Sequence, residues 1–143
     1  MPLSEIPIKV VPASTDKPLN APALLNEIAA MLERLVESSA TESIDLKSLP
    51  LAPADYARLE EILGLGEVSA EIEAAGPTRV RETAVHGVWW VTHMNALREP
   101  TAEFIEVTYA PEILKTHPSD AAAGLATLRS RLMDAQGDQA DAE

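Results

Sequence analysis

The residues able to do chemistry in this chain are few, and they are scattered. His86, His93 and His117 are its imidazoles, and no cysteine occurs in its 143 residues. A metal centre usually takes three or four protein ligands at suitable spacing, and these histidines form no close-spaced helical motif. The missing thiols exclude a disulfide, a cysteine nucleophile and an iron–sulfur cluster ligated by this chain's own thiolates. Neither a Gly-x-Ser-x-Gly elbow nor a His-Glu-x-x-His pair is present, so nucleophilic hydrolysis has no visible apparatus. Gly64-Leu65-Gly66-Glu67-Val68-Ser69 begins like a nucleotide-fold fingerprint, but phosphate binding needs a helix N-terminus after the glycines. Here a helix precedes them and a strand follows, which reads as a helix end and a turn. No catalytic residue, cofactor or metal is assigned.

Three side-chain groups remain as candidates for contact with another molecule. Glu71 and Glu73 share a strand face with Arg79 and Arg81 across a tight turn, and one register sets Glu73 opposite Arg79 and Glu71 opposite Arg81. That would be a solvated ion-pair ladder worth about 0.2–1 kcal/mol per pair; alternatively the two arginines grip a partner's carboxylate. Trp89 and Trp90 are neighbours on a strand and must point to opposite faces. If helices cover one face only, one indole enters the core and the other faces outward, either under the N-terminal arm or as a contact for a partner. Arg79, Arg81, Glu82, Trp89 and Trp90 are therefore the partner-binding candidates. Glu103 and Glu106, or Glu71 and Glu73, could act as acid and base, and a pocket near His93, Glu103 and Glu106 would make the chain an enzyme or a small-ligand binder.

The elements that must position these groups follow from periodicity. Residues 1–19 carry Pro2, Pro7, Pro12 and Pro18 around Ile8-Lys9-Val10-Val11, which reads as an extended arm with one edge strand. Asn20 can cap a helix with Pro22 in its first turn and Leu24, Leu25, Ile28, Met31, Leu32, Leu35 and Val36 on one stripe. A short strand is expected at 43–46. Pro53 opens a second helix with Tyr56, Leu59, Ile62 and Leu63 inward, ended by Gly64 in a left-handed conformation. From Glu67 the period drops to two, giving a hairpin about Ala74-Ala75-Gly76-Pro77 and then strands at 88–93 and 102–109. Ser119 can cap a third helix bearing Leu125, Leu128 and Leu132. Helices before and after the strands predict an α+β fold: an antiparallel meander sheet of four to five strands with two to three helices packed on one face. One domain is expected over residues 20–133, with an acidic disordered tail at 134–143.

Twenty-three Asp and Glu against eleven Lys and Arg give a formal net charge of −12. Such a surface repels nucleic acid and anionic membranes and keeps a protein soluble. No basic leader with an apolar run opens the sequence, and no apolar stretch is long enough to span a bilayer, so a cytoplasmic location is expected.

Taken in order, Gly64-x-Gly66-Glu67-Val68-Ser69-Ala70, Arg81-Glu82-Thr83-Ala84, Gly87-Val88-Trp89-Trp90-Val91 and Phe104-Ile105-Glu106-Val107 resemble the HupH/HyaF family of hydrogenase expression proteins. Leu19-Asn20-Ala21 and Pro111-Glu112-Ile113-Leu114 fit the same pattern, so the resemblance spans roughly residues 19–133. It implies a non-enzymatic, chaperone-like accessory role in maturing nickel–iron uptake hydrogenases. The partners it implies are the iron–sulfur small subunit precursor before export and other hydrogenase accessory proteins. Many members of that family are longer, with two related halves, and a homodimer would be one way for this chain to supply a second copy.

Overall fold

The computed structural model describes residues 20–142; the arm at 1–19, with its edge strand, lies outside them. Two compact units divide the chain, Met1–Tyr109 and Ala110–Glu143. In the first unit the order is helix α1 (Ala21–Ser38), strand β1 (Glu42–Asp45), a 3-10 turn (Leu46–Ser48), helix α2 (Pro53–Leu63), and strands β2 (Ser69–Ile72), β3 (Thr78–Glu82), β4 (Val88–Met94) and β5 (Pro100–Val107). The five strands form one antiparallel sheet in the order β1-β5-β4-β3-β2. The predicted meander is therefore present, with β1 added beside its last strand.

Why α1 starts where it does differs from the expectation at Asn20. No side-chain cap comes from that residue, because its amide group is turned to the Pro50 carbonyl at 2.7 Å. Asp55 takes over the capping: its Oδ1 accepts the Asn20 and Ala21 backbone N–H groups at 2.7 and 3.0 Å, and its Oδ2 accepts Ala52 N–H at 2.9 Å. One buried carboxylate thus satisfies donors at the starts of both helices, groups with no partner inside the helices themselves.

Both helices then lay their apolar stripes on one face of the sheet. Leu24, Ile28, Met31 and Leu35 of α1, Leu46, and Leu59 and Leu63 of α2 enclose Val88 and Trp90 of β4 with Ile105 and Val107 of β5. Two residues expected on those stripes fall at their margins, since Val36 is 72% and Ile62 47% exposed; a helical stripe of that width exceeds what one sheet face can cover.

Gly64 ends α2 with φ +67°, the positive φ that its position after the last apolar residue predicts, while its ψ of −167° is extended and not that of a left-handed helical residue. Gly66 explains the rest of the glycine pattern. Its N–H donates to the Glu82 carbonyl at 2.8 Å, and a Cβ there would meet the Thr83 carbonyl oxygen at 2.4 Å. Close approach of two backbones, not phosphate binding, is what the second glycine serves. Gly66→Ala is accordingly expected to cost about 1–3 kcal/mol in a urea melt by overpacking a backbone that cannot retreat.

The second unit holds a 3-10 turn (Glu112–Leu114) and helix α3 (Pro118–Ala142). Pro118 itself opens α3, and the capping acceptor is the Nδ1 of His117, which takes the Ser119 N–H at 3.1 Å; the cap expected at Ser119 lies two residues earlier, at His117, because proline suits the first helical site. Leu125, Leu128 and Leu132 are about half exposed. The sequence-based division, one domain to 133 and disorder from 134, differs from this on two points: the division falls after Tyr109, and helix continues to Ala142. Three alanines and two glutamines at 134–142, continuing the helix that Leu132 and Met133 belong to, favour helix strongly enough to outweigh the acidic composition.

Candidate functional site

Strand alternation puts Trp89 and Trp90 on opposite faces, as expected, but neither indole is exposed. Trp90 is 3% and Trp89 6% accessible. This corrects the picture of one outward tryptophan. Trp90 lies in the helix-side core and its indole N–H donates to Glu103 Oε2 at 2.8 Å. Trp89 donates to the Thr108 carbonyl at 3.1 Å and borders a groove shared with Leu32, Leu35, Val36 and Tyr109. Val80 and Val91, paired on the same face as Trp89, are also buried. The four residues from Val88 to Val91 are all buried, the pattern of a strand covered on both faces.

The carboxylate–arginine ladder forms in a register two residues away from the expected one. Glu71 lies opposite Arg79 and Ser69 opposite Arg81. Glu71 is 3.9 Å from Arg79 and is also bonded by Arg98, which reaches Glu73 at 3.9 Å. The Arg98 guanidinium holds the Glu71 carboxyl below its usual range. Arg79 is thereby spoken for, and the shift of register leaves Arg81 without a carboxylate across the strand.

Arg81 is where three of the candidates meet. A cleft of about 400 Å³ runs between α2 and β3–β4, lined by Glu60, Glu61, Gly64 and Leu65 on one side and by Arg81, Glu82, Thr83 and Trp90 on the other. Trp90 and Thr83 are buried and form its floor. The Arg81 guanidinium carbon stands 5.6 Å from the centre of the Trp90 ring, within cation–π range. Its Nε is buried with no hydrogen-bond partner. Glu82 is held in place by the Glu67 N–H at 3.3 Å and by His86 Nδ1 at 3.4 Å. Glu60 was not singled out in the sequence, and Gly64 and Leu65 were read there as a helix end and a turn; the Gly64-x-Gly66 turn that folds α2 back on β3 is the signal that brings all three there.

The alternative pocket does not assemble. His93 pairs with Ala102 and Trp90 with Ile105, so Glu103 points to the helix side of the sheet while His93 and Glu106 point to the other. His93 is engaged with Thr78 Oγ1 at 2.9 Å and meets Phe104 edge to face. Glu103 and Glu106 cannot share a substrate across a sheet, which corrects their reading as an acid–base pair. Among the described residues no group of three His, Asp or Glu is placed to hold a metal ion, and no helix is long and apolar enough to cross a membrane.

An α+β unit of two helices on an antiparallel sheet, with a mixed polar cleft at the end of α2, defines the class of domain. Residues 19–134 match the family model described as "HupH hydrogenase expression protein, C-terminal conserved region". The chain belongs to that family. A solved structure titled hydrogenase expression protein HupH from Thiobacillus denitrificans superposes with a TM-score of 0.77 at 44% identity, covering 80% of this chain and 96% of that one. Among curated relatives, hydrogenase expression/formation protein HupQ of Azotobacter chroococcum is 34% identical over 91 residues, 60% of this chain and 32% of its own length. HoxQ of Cupriavidus necator, with the same description, is 30% identical over 105 residues, 73% of this chain and 37% of its own. The chain thus spans about a third of the length of these curated relatives.

Proposed function

We propose that this chain is an accessory protein for the maturation of a nickel–iron uptake hydrogenase, acting in the cytoplasm by holding the iron–sulfur small subunit precursor before export. The observation that carries the reading is family membership over residues 19–134, with relatives named for hydrogenase expression and formation. The chemistry of the chain agrees with a holding role. Without cysteine it offers no thiolate to a cluster, so its contribution would be to bind a client while the client's own thiolates remain reduced and accessible. Arg81, Glu82 and Arg79 are the surface groups proposed for that contact, and Trp89 and Trp90 support them from within the sheet.

Affinity capture tests the proposal. A tagged copy of this chain, incubated with the small-subunit precursor, is expected to retain it where the tag alone does not. Equal recovery by chain and tag would overturn the reading.

A further inference from the structure

We infer that the cleft between α2 and β3–β4 is a seat for a carboxylate borne by a partner polypeptide, received by the Arg81 guanidinium, with a neighbouring basic residue of that partner facing Glu60. This deepens the proposed client-binding role and rests on it for the partner's identity, though not for the chemistry of the seat.

The first support is the state of Arg81. A guanidinium has five donors in a planar fork and cannot shed its charge. Buried donors in folded proteins are nearly always satisfied, so an exception calls for a reason. Among the described residues Arg81 has neither a hydrogen bond nor an ion pair, and its Nε is shut away from solvent. The Trp90 ring, at 5.6 Å, is its one cation–π contact among the described residues. A cation–π contact with a buried indole, together with a buried Nε, restricts the guanidinium, and a group restricted in advance loses less freedom when a carboxylate arrives.

The second support is that the acidic walls do not compete. Glu61 is taken by Arg58, and Glu82 is held by the Glu67 N–H and His86. Neither is bonded to Arg81. Only Glu60, exposed on the last turns of α2, keeps a carboxylate with no partner among the described residues. One unpaired cation near the floor and one unpaired anion at the rim match a segment in which an acidic and a basic group are adjacent. A lone phosphate or a polyanion would meet Glu60 as a like charge.

The third support is contrast within the same strand. Arg79 is two residues away on the same face, yet it has a carboxylate within ion-pair distance, Glu71 at 3.9 Å. The free state is therefore specific to Arg81 and not a property of every arginine on the sheet.

The test needs no hydrogenase, so its failure is separable from failure of the capture experiment. The purified chain is titrated with N-acetyl-Asp-Lys-amide, with the Asn-Lys counterpart, and with N-acetyl-Ala-Lys bearing a free C-terminal carboxylate, while the Arg81 Nε–H resonance and, in every variant, the backbone amides of Glu60, Leu65 and Thr83 are followed by NMR. A saturable shift with the aspartyl peptide or with the free-terminus peptide, and none with the asparaginyl peptide, is expected; which of the two binds tells a side-chain carboxylate from a chain end. Arg81→Gln is expected to weaken binding by about tenfold or more, and Arg81→Lys, which keeps the charge without the fork, to weaken it several-fold, with amide dispersion confirming that each variant is folded. Glu60→Gln, on an exposed helix surface, is expected to weaken binding of these peptides, each of which carries a lysine, but not of N-acetyl-Asp-Ala-amide, which carries none. A saturable shift with the asparaginyl peptide, no shift with any peptide, or binding retained in folded Arg81→Gln would overturn the seat; Glu60→Gln binding as tightly as the parent would overturn its cationic half.

Discussion

Trp90→Ala is expected to remove about 3–5 kcal/mol from the unfolding free energy, measured as a shift in the urea midpoint at constant slope. The indole is 3% exposed and shares the core with Leu24, Ile28, Met31 and Leu35 of α1, with Leu59 and Leu63 of α2, and with Val88, Ile105 and Val107 of the sheet. Truncation would open a cavity bounded by two helices that are themselves tied together at Asp55, so collapse into the space is restricted. It would also strip the ring from beneath Arg81 and the N–H from Glu103. Trp90→Phe separates these effects. It keeps most of the apolar volume while deleting the indole N–H, and since Glu103 is only partly buried and can rehydrate, a loss of about 1–2 kcal/mol is expected. A loss below about 1 kcal/mol for Trp90→Ala would show that the ring is not part of the core. Because Trp89 is buried as well, alanine there also destabilises, and neither tryptophan can serve as a clean probe of partner contact. Arg81, partly exposed and unpaired, can.

How far the fold was legible in the sequence depends on the range of the interaction. Period-two and period-near-four patterns are local, and they placed α1, α2, the β2–β3 hairpin, β4 and β5 within a few residues. Gly64 was legible because a helix end needs a positive φ there. Alternation also gave the two tryptophans their opposite faces. Their burial was not legible, since it depends on what covers each face, and alternation carries no information about cover. The β2–β3 register slipped by two for a related reason. A slip of two keeps every side chain on its own face, so the hydrophobic pattern cannot detect it, yet it moved the carboxylate partner from Arg81 to Arg79. That same slip created the unpaired guanidinium of the cleft. The acid–base reading of Glu103 and Glu106 failed on parity: residues three apart on a strand face opposite ways.

Asp55 is the long-range tie that no periodicity announces. It lies one residue before Tyr56 on the first turn of α2, and its carboxylate, only 2% exposed, gathers the N–H groups of Ala52, Ala21 and Asn20. Those bonds, with Ala52 foremost, hold its pKa below the ordinary 3.8 against the opposing effect of burial. A carboxyl whose folded pKa is depressed binds its proton less readily than in the unfolded chain. Its stabilisation is therefore complete above the unfolded value and is lost as pH falls through the folded one. Glu71 and Glu42, lowered by Arg98 and Arg34 respectively, add to the same acid sensitivity from exposed positions where solvent screens the pairs. Asp55→Ala is expected to lower Tm at neutral pH on the order of 10 °C, because three donors at two helix starts lose their acceptor together. Asp55→Asn keeps an acceptor for some of them and should fall between. Below about pH 4 the parent should lose stability faster than Asp55→Asn, so the two melting curves converge on acidification. Parallel curves across that window would mean that the charge on Asp55 contributes nothing, and that the two helices are joined by packing alone.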